Sequence, residues 1–96
     1  MNEITRAKIL EAVLSERERQ DERWGAQTNN TDLEWMSILT EEIGEVAKDV
    51  NDQRVAGMFE ELIQCAAVCF AWSEAYINRG GLKDDGEYPV QKPTRR

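Results

Sequence analysis

Two acidic clusters have the residue types and spacing to do chemistry. The first is Glu41-Glu42-Ile43-Gly44-Glu45, and after fifteen intervening residues comes Glu61-Leu62-Ile63-Gln64. The chain has no histidine, which excludes His-dependent triads, zinc fingers and the Glu-x-x-His di-iron bundle, so any chemistry must run on carboxylates. On a helical wheel, Glu42, Glu45 and Asp49 form a row along the edge of an apolar stripe, with Glu41 further round. Such a row alone reads as a solvated face. Glu61 differs, because its wheel position falls between Met58, Cys65, Val68 and Trp72, inside the stripe, with Gln64 at the border. Burying an unpaired carboxylate costs on the order of several kcal/mol, so it is tolerated only when protonated, paired or bound to a metal. No basic residue lies near the middle of either stripe: Lys48 is off the face and Arg54 lies beyond the helix end.

If the two helices pack antiparallel, Glu42 and Glu45 face Glu61 and Gln64, gathering three carboxylates and an amide oxygen around one point. All-oxygen ligation suits a hard ion, above all Mg2+, with Mn2+ as a substitute. Magnesium leaves positions for water and phosphate oxygens, which gives an acidic protein a route to a nucleotide.

Helices must position these groups, and the sequence predicts three. The first runs from about Glu3 to Arg23, with Ala7, Leu10, Val13 and Leu14 on one face, continued by the stems of Arg17 and Asp21. Trp24 to Asn30 reads as a loop, and Thr31-Asp32-Leu33-Glu34 fits a capping box that opens a second helix near Asp32. That helix carries Met36, Leu39, Ile43, Val46 and Val50 at steps of three and four and ends near Asn51-Asp52. A third begins at Val55 or Ala56 and continues to Arg79, where Gly80 supplies the stop; its stripe includes Met58, Leu62, Cys65, Cys69, Trp72 and Tyr76. The expected organisation is an all-α domain over residues 1–79 and a polar, irregular tail over 80–96, which holds both prolines.

Composition narrows the function. Ninety-six residues point to one small domain, completed by oligomerisation because three short helices bury little by themselves. Twelve basic against nineteen acidic residues give a net charge of −7, which disfavours duplex nucleic acid as a partner. Cys65 and Cys69, at i and i+4, read as small buried apolar residues rather than a disulfide framework. No apolar run approaches the ~18 residues of a spanning helix, and no secretory signal is visible, so the expectation is no membrane partner and a cytoplasmic address.

The two acidic clusters together resemble the Glu-Glu-x-x-Glu and Glu-x-x-Asp pair of MazG-like all-α nucleoside triphosphate pyrophosphohydrolases. The flanking stretches Glu18-Arg19-Gln20-Asp21-Glu22-Arg23-Trp24-Gly25 and Ala66-Ala67-Val68-Cys69-Phe70-Ala71-Trp72 are similar to those of small, phage-type or mobile-element-type members, so the resemblance covers about residues 15–79. It implies cleavage of a nucleoside triphosphate between the α and β phosphates, with magnesium held by the acidic cluster. On this resemblance Glu42, Glu45 and Glu61 fall on metal-ligand positions, and Glu41 orients or activates the attacking water. Gln64 stands where the family pattern has aspartate; its amide can still offer an oxygen, but the missing negative charge weakens the site. The resemblance also implies a homodimer built around a four-helix bundle, or a homotetramer of two such dimers.

Substrate grip falls to basic and planar residues. Arg19, Arg23, Lys48 and Arg54 are candidates for phosphate contact, and Trp24 or Trp35 for stacking on a base. Two other readings stay open beside the enzyme: a catalytically weak helical module that binds nucleotide or a protein partner, and an acidic structural dimer.

Overall fold

Two of the three helices start at side chains that satisfy their free backbone N–H groups. In the computed structural model, which describes residues 2–25 and 29–81, α1 spans Glu3–Trp24, α2 Asp32–Asn51 and α3 Val55–Tyr76. Asn2 caps α1, its Oδ1 accepting from the Thr5 backbone N–H at 2.8 Å. The expected capping box opens α2: Thr31 Oγ1 accepts from the Glu34 N–H at 3.1 Å, and Glu34 Oε1 accepts from the Thr31 N–H at 2.8 Å. No side chain caps α3.

The ends are set by backbone turns. Gly25 closes α1 at φ 74°, its N–H donating to Asp21 O, so Trp24 belongs to the helix rather than to the loop expected there. Between α2 and α3 the chain reverses in three residues: Asp52 N–H donates to Lys48 O, Gln53 sits at φ 58°, and Arg54 N–H donates to Asp49 O. The third helix was expected to reach Arg79. It ends at Tyr76 instead, and Ile77–Gly81 forms a wider turn in which Arg79 (φ −94°, ψ 15°) and Gly80 (φ 94°) leave helical geometry. Gly80 still supplies the left-handed residue that stops the chain. Of the expected irregular tail over 80–96, Gly80 and Gly81 belong to this turn, and the remainder from residue 82, like residues 26–28 of the expected loop, lies outside the described residues.

All three helices meet at α3. Both α1 and α2 pack on it, and neither packs on the other. Against α1 the core is Val13, Ile63 and Ala67, with Ile9 and Ala12 at its margin. Against α2 it is Trp35, Val68 and Ala71, flanked by Ile38, Leu39, Trp72 and Ala75. Pairings of Trp72 with Asp32 and of Gln64 with Glu42 show that α2 and α3 run antiparallel. Polar straps close the ends: Arg17 Nη2 lies 2.8 Å from Glu74 Oε1, and Asp32 accepts from Trp72 Nε1 and Arg79 Nη2, each at 2.9 Å.

The buried faces are rotated from those the periodicity suggested. In α1 the inward residues are Ile9, Ala12 and Val13, while Leu10 and Leu14 are exposed. In α2 Trp35, Ile38 and Leu39 turn inward, leaving Met36, Ile43 and Val50 exposed. Cys69 is exposed and Cys65 half-buried, which corrects the reading of both as buried. The physical reason is arithmetic: the chain carries more apolar surface than three helices in one layer can cover, so one flank of each stripe stays in solvent. The segment Val55–Gly81 is, contrary to expectation, long and apolar enough to cross a membrane by length and composition, an 18-residue window within it reaching a mean hydropathy of 1.4. Packing uses two of its sides, where Ile63, Ala67, Val68 and Ala71 are buried.

Candidate functional site

Antiparallel packing brings Glu42 of α2 to Glu61 and Gln64 of α3. With its amide nitrogen turned inward, the orientation in which it meets acceptors, Gln64 donates to Glu61 Oε1 at 3.1 Å and to Glu42 Oε1 at 3.2 Å. One neutral amide thus ties carboxylates from two helices. Turned the other way, it would set three oxygens around one point, an arrangement that needs a cation to be stable.

The electrostatics show what the pair costs. Burial raises the Glu42 carboxyl above its ordinary range, and the charges of Glu61, Glu45, Glu41 and Glu16 raise it further. Glu61 is raised too, by burial first and then by Glu45, Asp49 and Glu60. Even the half-buried Cys65 thiol is pushed up by burial and by Glu42. Each carboxylate would shed strain by binding a proton or a cation.

The expected set is only partly assembled. Glu42, Glu61 and Gln64 come together, and all three are half-buried, so Glu61 is not enclosed in the core as its wheel position implied. Glu45 and Glu41 are exposed and act on the pair through charge. Among the described residues no group of three or more acidic or cysteine side chains converges closely enough to hold an ion, which corrects the expectation of three carboxylates around one point. The reason is angular: on α2, Glu42 points at α3, and Glu45, three residues on, lies about 60° round the wheel from that line.

Two acids were not among the expected site residues. Asp49, seven residues after Glu42 and so on the same face, is half-buried with its carboxylate beside Gly57 of α3. Glu16 brings α1 to the site: it is half-buried, accepts from Arg19 Nε at 2.9 Å and Nη2 at 2.6 Å, and takes a third bond from Gln20. Those bonds from Arg19 hold the Glu16 carboxyl below its usual range. Position i+3 from the buried Val13 was the signal for Glu16, masked by an assignment of the α1 face one residue out of phase.

Of the proposed substrate contacts, Arg19 alone reaches the acidic side of the molecule, lining a cleft of about 600 Å³ with Glu16, Ile63 and Gln64. Arg23 is exposed at the end of α1, its guanidinium 5.2 Å from the centre of the Trp24 ring. Lys48 and Arg54 are exposed near the α2–α3 turn, Arg54 lying 3.9 Å from Asp52. Trp35 is only 3% exposed and packs on Val68 and Ala71, so it is unavailable for stacking on a base. No family model, curated protein or solved structure matches the chain.

Proposed function

We propose that this protein is a magnesium-dependent nucleoside triphosphate pyrophosphohydrolase, a MazG-like helical enzyme working as an oligomeric bundle, that converts a (deoxy)nucleoside triphosphate to the monophosphate and pyrophosphate. The observation that carries the reading is the pair Glu42 and Glu61, facing each other from two helices with both carboxyl pKa values raised. The donor set fits the ion, because magnesium is commonly held by one or two protein carboxylates, with the rest of its shell left to water and substrate phosphate. Glu42 and Glu61 would hold it, and Gln64 would offer its oxygen after turning its amide. Bound there, the ion supplies neutralisation of phosphate charge and a more acidic water. In this reading Glu41 and Glu45, both exposed on the same helix, accept a proton from water rather than ligate. Arg19, held by Glu16 on the wall of the cleft that Gln64 also lines, offers a cation to phosphate oxygens.

Pyrophosphate release across a panel of ribo- and deoxyribonucleotides, with and without magnesium, tests the proposal. The parent should turn over only with the ion, and Glu61→Ala should lose at least about a hundredfold. Equal turnover by both proteins removes Glu61 from the mechanism.

A second reading is favoured by one contact. Because the Gln64 amide can satisfy both acids without a cation, the chain would bind nucleotide or a protein partner and turn over weakly or not at all. Gln64→Asp separates the two: magnesium binding by calorimetry and turnover should both rise if position 64 is a ligand, whereas thermal unfolding should show a lower Tm without gain in turnover if the amide is a structural tie.

A further inference from the structure

The cleft between α1 and α3 carries chemistry that the acidic pair does not use. It encloses about 600 Å³, within the range of small-molecule sites, and its walls include Glu18, Arg19 and Glu22 of α1 and Phe59, Glu60 and Gln64 of α3. Phe59 is 54% exposed. Among the described residues its ring is the one aromatic surface on these walls, to which neither Trp24 nor the buried Trp35 contributes. Gln64 belongs to both places, lining the cleft and bonding Glu42 and Glu61. The charge of Glu42 also reaches Arg19, and that of Glu16 reaches Glu42. The cleft therefore opens beside the pair.

Charge selects what enters it. Glu16 and Arg19 neutralise each other as an ion pair, whereas Glu18, Glu22 and Glu60 make no ion pair among the described residues. A net acidic wall repels phosphate, so a nucleotide with its phosphates at an ion on the Glu42–Glu61 pair would turn its other end into the cleft. That end, the base, is flat and uncharged. Any base can stack on an aromatic ring, since every base has a π-face. Its edge is read more strictly: an ionised carboxylate only accepts hydrogen bonds, so it matches N–H groups and rejects carbonyl oxygens. Guanine presents a ring N–H and an amino group side by side, which suits both oxygens of one carboxylate. Adenine and cytosine set their amino group beside an unprotonated ring nitrogen, and uracil and thymine hold their ring N–H between two carbonyls. Guanine is the best donor of the set.

We propose that, given the nucleotide reading of the Glu42–Glu61 pair on which this rests, the α1–α3 cleft is the base subsite and selects guanine. Phe59 stacks on the ring, and the carboxylates of Glu18, Glu22 and Glu60 accept from its N–H groups. The substrate class is then the guanine nucleotides.

Saturation-transfer NMR of the full chain with guanosine, adenosine, cytidine and uridine tests this. These ligands carry no phosphate, so without magnesium they report on the cleft alone. Guanosine should bind at least about tenfold more tightly than uridine. Phe59→Ala should weaken all four by roughly tenfold, and Phe59→Tyr, which keeps an aromatic face, should retain the parent's affinities. Glu18→Gln, Glu22→Gln and Glu60→Gln combined should bring guanosine to within about threefold of uridine. All four positions are exposed, so the variants should keep the parent's helix content by circular dichroism. Equal affinities for the four nucleosides overturn the proposal. So does guanosine binding that Phe59→Ala leaves unchanged, or no binding by any nucleoside. Pyrophosphate release separates this failure from that of the enzyme: equal turnover of every triphosphate removes the subsite and keeps the chemistry, whereas guanosine selectivity without turnover keeps the subsite and removes the chemistry.

Discussion

At the scale of the residue, the acidic pair is a fixed liability of the fold that a proton or cation relieves. Both Glu42 and Glu61 have carboxyl pKa values above the ordinary 4.5, so the folded chain binds protons more tightly than the unfolded one. Stability therefore falls as pH rises from the unfolded value through the folded one, and the full cost is present above it. Replacing Glu42 by glutamine removes one charge and keeps the shape. Thermal unfolding of Glu42→Gln should show a higher Tm than the parent at pH 7 without magnesium, with the gain disappearing as pH drops below 4.5. An unchanged difference at both pH values would mean that the carboxylates do not interact. Added magnesium should raise the parent's Tm and leave that of Glu42→Gln nearly still, since an ion that binds only the folded chain stabilises it.

At the scale of the element, the helix ends carry separable energies. Thr31→Ala removes one half of the reciprocal cap on α2 and should cost about 1 kcal/mol in urea unfolding. Gln53 runs the other way. Its φ of 58° is left-handed and its side chain is exposed, so Gln53→Gly should gain about 0.5–1 kcal/mol by relieving the strain of a Cβ there. A loss would mean that the side chain makes a contact that offsets it. These ends were also the most legible features in the sequence. The Thr31–Glu34 box and the break at Asn51-Asp52 are local signals, readable from a few neighbouring residues without knowledge of the rest. Which flank of a stripe is buried is not local. Trp35 is buried and Met36 is not because α3 approaches α2 along one particular line, and a wheel drawn for α2 alone has no record of that line. The same limit shaped the site: Glu42, Glu61 and Gln64 could be paired from spacing, whereas the exposure of Glu45 and the inward position of Glu16 depend on packing angles.

At the scale of the whole molecule, the question is whether one chain holds together by itself. Among the described residues six apolar side chains are buried, and two of the six are Ala67 and Ala71, which bring little surface each. Met36, Ile43, Leu62 and Tyr76 remain about half-exposed. Small helical domains of this size are marginal on such a core, so association should supply a large share of the folding free energy. Unfolding would then be coupled to dissociation, and its midpoint must depend on concentration. For a folded pair that separates into two unfolded chains, each tenfold rise in concentration adds about 1.4 kcal/mol per pair, or roughly 3–5 °C in Tm for a unit of this size. Thermal scans of the parent from about 1 to 100 µM should show that climb, and Leu62→Glu should abolish it while lowering Tm to a concentration-independent value. A parent whose midpoint is constant over the range would place all of its stability within the single chain, and the exposed strips of α2 and α3 would then contribute nothing to folding.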